Sequence, residues 1–297
     1  MPAQAGALPA DASDLSGRHG IAAGLREAAA IVVILAGALG LRLWRLGELP
    51  PGIDLDQARS GMEAVRVLAG QHPMMFTTYD PREPAFLYSL ALAIAWLGRT
   101  VYAVQMAGLW WGILGVALTY PVARQWFGRK VALLSTAAIA VSLWDLIASR
   151  WDGKDTSMVP ALLLFLFFFW RALDGGSLLS FGLAGVFLSL TAYTYVATRI
   201  IPLLVLLLLV CEWPVVKTRV KGLLLALLTA VLTVAPLAIY FLRNPDEFTA
   251  RASRITSLAP PEAGVAPDTV WQTAVKTLGM YFVHGDVNWR DNVSGWP

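Results

Sequence analysis

Two runs constrain this chain more than anything else in it. Pro160–Trp170 reads PALLLFLFFFW and Ile200–Val210 reads IIPLLVLLLLV. A helix at the surface of a soluble core is apolar along one stripe, whereas these runs are apolar all round. Such segments are stable in lipid, where about 20 apolar residues cross the hydrocarbon. Composition agrees. Of 297 residues, 57% are hydrophobic and 14% charged, against roughly half and a quarter in a soluble domain. Mean hydropathy is +0.60. The twelve tryptophans suit the membrane–water interface, where Trp and Tyr collect. The chain reads as an all-α integral membrane protein.

Several function classes fall away. The net charge of +3 fits basic loops facing anionic lipid. No Lys/Arg block with interleaved aromatics is present, which argues against nucleic acid as a partner. Cys211 is the single cysteine, so neither an intrachain disulfide nor a cysteine metal site is expected. His19, His72 and His284 are far apart, and there is no HExxH pattern.

Apolar segments fall at about 27–46, 84–98, 102–123, 130–148, 156–173, 178–197, 199–213 and 220–242. Residues 1–26 read as a disordered cytoplasmic tail, 27–242 as the transmembrane module and 243–297 as an outer loop. Basic residues in short loops mark the cytoplasmic side. Arg18 and Arg26, then Arg124, Arg129 and Lys130, then Arg171, then Lys217, Arg219 and Lys221, share that side. The regions 47–83, 149–155 and 243–297 then lie outside. Segment 84–98 would begin and end on that outer face, so it is expected to be re-entrant or tilted. Residues 56–70 place Ala58, Met62, Val65 and Ala69 on one helical face, with Arg59, Glu63 and Arg66 elsewhere. That pattern is an amphipathic helix at the membrane surface. Residues 269–283 form a second.

Four charged groups converge on the outer face. Asp54 and Asp56 follow Pro50-Pro51-Gly52. They suit a general base or a divalent cation, and equally a helix N-cap with a loop acid. Arg82-Glu83-Pro84 opens an apolar helix next to Asp80. Asp145 precedes Arg150, Asp152, Lys154 and Asp155; Arg150 and Lys154 suit a phosphate. Arg199 follows Tyr193 and Tyr195. Each group alone reads as well as a solvated boundary. Together they describe a cleft for a substrate that is part lipid and part polar.

In order, PPGIDLDQARSG, PREPAFLY, ASRWDGKD, TAYTYVATRIIP, APLAIYFLRNPDEFTARAS and TLGMYFVHGD resemble the bacterial family 39 glycosyltransferases of the GT-C membrane superfamily. These are relatives of protein O-mannosyltransferases and of lipid A aminoarabinose transferases. The resemblance runs from about Leu41 to Pro297. It implies a multi-pass helical bundle with surface helices in the first outer loop. It also implies transfer of a sugar from a polyprenyl-phosphate carrier to a protein or glycolipid acceptor, with inversion, on the outer face. The family's first-loop acid corresponds to Asp56, the general base. Gln57 stands where the family carries Glu, and Glu83 where relatives carry Lys or His. Asp54, Arg82, Glu83, Arg150, Lys154, Tyr195 and Arg199 are the expected substrate-binding residues. A divalent cation is permitted but not required. Relatives continue into further spans, so the sequence is expected to be C-terminally truncated. The competing readings are a transporter and a non-catalytic membrane subunit. A transporter would show inverted repeats and broken helices at the midplane.

Overall fold

The computed structural model describes residues 11–49, 52–79, 81–151, 153–249, 269–280 and 283. The described residues are helical almost throughout. In order come α1 (Asp11–Leu43), α2 (Leu55–Leu68), α3 (Pro84–Leu97), α4 (Val101–Val141), α5 (Leu143–Arg150), α6 (Met158–Gly175), α7 (Leu178–Thr191), a 3-10 turn (Val196–Ile200), α8 (Ile201–Cys211), α9 (Trp213–Val216), α10 (Val220–Arg243) and a last helix, Val270–Met280. Four helices among the described residues are long and apolar enough to cross a membrane: Ala23–Leu43 within α1, α4, α6 and α10. The expected all-α, multi-pass membrane architecture is therefore present.

The distribution of side chains is that of a protein in lipid. Large apolar groups point outward: Leu203, Leu206 and Leu207 of α8 and Leu227, Val231 and Leu232 of α10 are exposed. Polar and charged groups lie inside, among them Arg42, Gln57, Gln105, Thr136 and Ser149. In hydrocarbon an unpaired polar group costs several kcal/mol, so polarity turns inward.

α1 already begins at Asp11, inside the stretch read as a tail. Once a span is helical, each further residue adds a hydrogen bond at little cost, and Ala23 and Leu25 carry the helix back. Residues 1–10 lie outside the described residues.

α4 is two helices. Gly128 has φ 80° and ψ −179°, a region open chiefly to glycine. A straight helix would separate Gly112 from Ala140 by about 42 Å. Yet Arg42 Nη1 donates to the Ala140 carbonyl at 3.1 Å, and a Cβ on Gly112 would stand 3.5 Å from Arg42 Nε. The two halves therefore fold back at Gly128. Ala38, Val116 and Ala140 fill the shared core. The expected segments 102–123 and 130–148 are these two arms. At the turn, Arg124 and Arg129 pair with Glu27 of α1 at 3.0 and 3.4 Å. This gathers positive charge at one end of the bundle.

α3 has 14 residues, about 21 Å, short of a roughly 30 Å hydrocarbon core. It packs through Phe86, Leu87, Leu90 and Ile94 into a core shared with α2 and α4.

Small residues let the remaining helices approach. α7 and α10 meet at Gly185, where a Cβ would lie 2.0 Å from the Ala226 carbonyl oxygen. Thr229 Oγ1 donates to the Gly182 carbonyl at 2.9 Å. Ser189 Oγ donates to the Ala230 carbonyl at 2.7 Å. Gly185→Leu is expected to force this pair apart and destabilise the bundle by roughly 3 kcal/mol. A lowered melting temperature of the detergent-purified protein checks it; unchanged melting would contradict the close packing.

Candidate active site at one end of the bundle

The site is built on the first turn of α2. Asp54 is its N-cap, extended at φ −86° and ψ 179°. The Asp54 carboxylate accepts from Gln57 N at 2.7 Å, and the Gln57 side-chain oxygen accepts from Asp54 N at 3.0 Å. This reciprocal pair is a capping box, which satisfies two otherwise orphaned donors. Trp151 Nε1 donates to the second Asp54 oxygen at 3.3 Å, and Gln57 Nε2 donates to the Trp151 carbonyl. Asp54 is thus committed to structure, as the capping reading of Asp-x-Asp allows. Its oxygens are engaged by the α2 backbone and Trp151.

The same network accounts for glutamine at 57. Its side chain is fully buried and must accept on one side and donate on the other. A carboxylate can only accept. Gln57→Glu is expected to set two acceptors face to face and cost about 1–3 kcal/mol, read as a lower melting temperature. Equal stability would contradict this assignment.

Capping at Asp54 and Gln57 fixes Asp56 between them. Its carboxylate is 39% exposed and meets three cations: Arg82 Nη2 at 3.0 Å, Arg59 Nη1 at 3.8 Å and Lys154 Nζ at 3.9 Å. Arg82 is the buried member, its side chain 7% exposed. Its Nη1 donates to Ser60 Oγ at 2.6 Å and to the Asp56 carbonyl at 3.2 Å. Its backbone is held by a bridge to Phe76, with N–O distances of 2.9 and 3.0 Å. A two-pronged grip of this kind suits guanidinium rather than ammonium.

Lys154 arrives from the loop after α5. Gly153 turns there at φ +59°, and a Cβ on it would lie 2.4 Å from Gly108 Cα and 2.7 Å from the Phe86 ring. Glycine lies against glycine, and this close approach brings the loop to α4 and Lys154 to Asp56. Arg82, Glu83, Lys154, Tyr195, Ser60 and Thr194 line one small cleft.

Glu83 is buried, and its carboxylate faces Arg199 Nη2 at 3.8 Å. Arg199 also donates to the Phe248 carbonyl and lies 4.4 Å over the Phe248 ring. The arginine therefore joins the site to the segment after α10. Ala85 N donates to the Tyr193 carbonyl at 3.0 Å, which holds the start of α3 against the Tyr193–Tyr195 stretch. The Tyr193 hydroxyl donates to the Thr233 carbonyl at 2.8 Å.

Arg150 departs from the expected phosphate-binding role. Its guanidinium donates to the carbonyls of Leu41, Trp44 and Leu49 at 3.3, 2.8 and 2.9 Å. These are the groups a helix end leaves without partners, so Arg150 caps α1 and its following turn. Burial lowers its pKa, though an arginine stays charged. Pro50, Pro51, Asp80, Asp152, His284 and the chain end from 284 lie outside the described residues. Among the described residues no three His, Cys, Asp or Glu side chains are grouped to hold a metal ion.

One charged pair escaped the sequence reading. Arg42, in α1, is fully buried and pairs with Asp145 of α5. Its Nη1 also donates to the carbonyls of Ala38 and Ala140, each at 3.1 Å. Charges within membrane helices are held by such partners. Asp145 was evident in sequence; Arg42, 103 positions away, was hidden at the end of an ordinary span.

A multi-pass helical membrane protein with a paired acid–base cleft at one end is the class that fold and site define. The model of the dolichyl-phosphate-mannose-protein mannosyltransferase family matches residues 73–240, more than half of the chain. The chain belongs to this family and is a membrane glycosyltransferase of the GT-C kind. The match includes Arg82, Glu83, Arg150, Lys154, Tyr195 and Arg199, and begins after Asp54 and Asp56. No curated protein and no solved structure matches the chain.

Proposed function

We propose that this protein transfers a sugar from a polyprenyl-phosphate carrier to a protein or glycolipid hydroxyl on the non-cytoplasmic face, with Asp56 as general base. The observation that carries the reading is the Asp56 carboxylate, part exposed and ringed by Arg82, Arg59 and Lys154. An acid beside several cations is what a displacement at a sugar phosphate requires. The acceptor oxygen attacks the anomeric carbon as Asp56 takes its proton. The bond from that carbon to the phosphate oxygen breaks, and the phosphate leaves with the electron pair. Lys154 and Arg59 neutralise the charge that develops on it. Arg82 fixes the base, and Glu83, Tyr195 and Arg199 shape the cleft wall. A single displacement inverts the anomeric centre.

The orientation follows from charge. Arg124, Arg129 and Lys130 belong on the cytoplasmic side, and Asp56 belongs at the opposite end of the arm that Gly128 closes. N-terminus inside and cleft outside is the arrangement consistent with both.

The test is the product. A donor of known anomeric configuration, supplied to membranes containing the chain, is expected to give the opposite configuration by NMR. A product of retained configuration would overturn the single displacement.

A further inference from the structure

The face of α2 opposite Asp56 carries a second feature. At 100° per residue, Asp56, Ser60, Glu63 and Val67 share one side of the helix, and Ala58, Met62 and Val65 the other. The first side turns into the protein: Ser60, Glu63 and Val67 are buried. The second is left outward, with Met62 53% exposed. There it walls an open groove of about 620 Å³ between α2, the end of α3 and the start of α4. The floor and sides are apolar, formed by Ala58, Met62, Val65, Ile94 and Val104. The charged lining residues are Arg66 and Arg99. Arg66 is anchored by Glu63 at 3.5 Å and by Thr78. No described residue pairs with Arg99. Trp96, 71% exposed, stacks edge-on with Trp110 at 5.9 Å just beside it, and Tyr102 is exposed nearby. Exposed Trp and Tyr together mark the headgroup level of a bilayer.

We propose that this groove is a binding site for an anionic membrane phospholipid, one acyl chain lying along α2 and its phosphate on Arg99 and Arg66. An apolar trough with two cations and no acid among its lining residues matches that chemistry. A neutral lipid would leave Arg99 without a counter-charge. The polyprenyl carrier does not fit the same place, because its sugar phosphate must reach Asp56 on the other side of α2. A lipid seated here braces the helix that carries Asp56 without touching the chemistry.

The experiment uses the full chain in detergent, titrated with phosphatidylglycerol or phosphatidylcholine, with bound lipid counted by native mass spectrometry. It needs no transfer activity, so its outcome is separate from that of the transferase reading. One phosphatidylglycerol is expected to be retained in preference to phosphatidylcholine. Arg99→Gln is expected to weaken that retention roughly fivefold, the effect of one basic residue on an anionic lipid. Gly61→Leu fills the groove: a Cβ at Gly61 meets only Val104 Cγ2 at an ordinary 3.9 Å. It is expected to abolish retention while melting is unchanged or raised, since leucine favours helix over glycine. Should Gly61→Leu melt early, Arg99→Gln alone decides. Equal retention of both lipids, or retention unchanged by Arg99→Gln, overturns the proposal. So does displacement of phosphatidylglycerol by polyprenyl monophosphate, which would give the groove to the carrier.

Discussion

Asp56→Asn is expected to lower sugar transfer by about 10²–10⁴-fold, the range for loss of a general base, with little change in melting temperature. The two halves of this expectation rest on different contacts. Asparagine keeps the shape of the side chain and one carbonyl oxygen to accept from Arg82 Nη2. What it lacks is a basic oxygen for the acceptor's proton and the charge facing Lys154 and Arg59. The stability cost is small because the Asp56 side chain is 39% exposed and exposed pairs contribute about 0–1 kcal/mol. Arg82, the buried partner, retains Ser60 Oγ and the Asp56 carbonyl. A large fall in both activity and melting would instead mean that Asp56 is chiefly a structural partner of Arg82.

Gly153→Val is expected to cost more in stability than any other single change considered, and to remove transfer with it. Three effects act together. The φ of +59° is strained for a residue with a Cβ and worst for a β-branched one. The new Cβ would lie 2.4 Å from Gly108 Cα, backbone that cannot swing aside as a side-chain tip can. The Phe86 ring, 2.7 Å away, belongs to the core that holds α3. A loop pushed off α4 carries Lys154 away from Asp56. Gly153→Ala should fall between wild type and valine. Melting and transfer measured on both variants check the gradation. A Gly153→Val protein with wild-type melting would contradict the glycine-on-glycine contact.

Much of this architecture is legible in the sequence because its signals are local. Apolar runs name the spans, Arg124 and Arg129 name a turn, and the period of Ala58, Met62 and Val65 names an amphipathic helix. The grouping of Asp56, Arg82, Lys154, Glu83 and Arg199 at one end follows from chain direction and loop charge alone. What sequence does not carry is the choice among partners. Arg150 and Lys154 are four residues apart and look alike. Yet α5 ends at Arg150, and the chain then turns at Gly153. One cation therefore caps α1 while the other meets Asp56. Asp54 and Asp56 divide in the same way, because only the residue before the first turn can cap α2. Gln57–Trp151 and Arg42–Asp145 join positions about a hundred apart, and no local period reports such a pair. The apolar stripe of α2 was visible, but its direction was not. That direction is decided by the buried Arg82, which draws the polar face inward.

The most direct test of the account is transfer of radiolabel from a polyprenyl-phosphate sugar in membranes expressing this chain, with Asp56→Asn measured alongside. Transfer by the wild type is expected, with a loss of at least about a hundredfold in the variant. Undiminished transfer by Asp56→Asn would contradict it, since the proton would then be leaving by a route that does not involve this carboxylate.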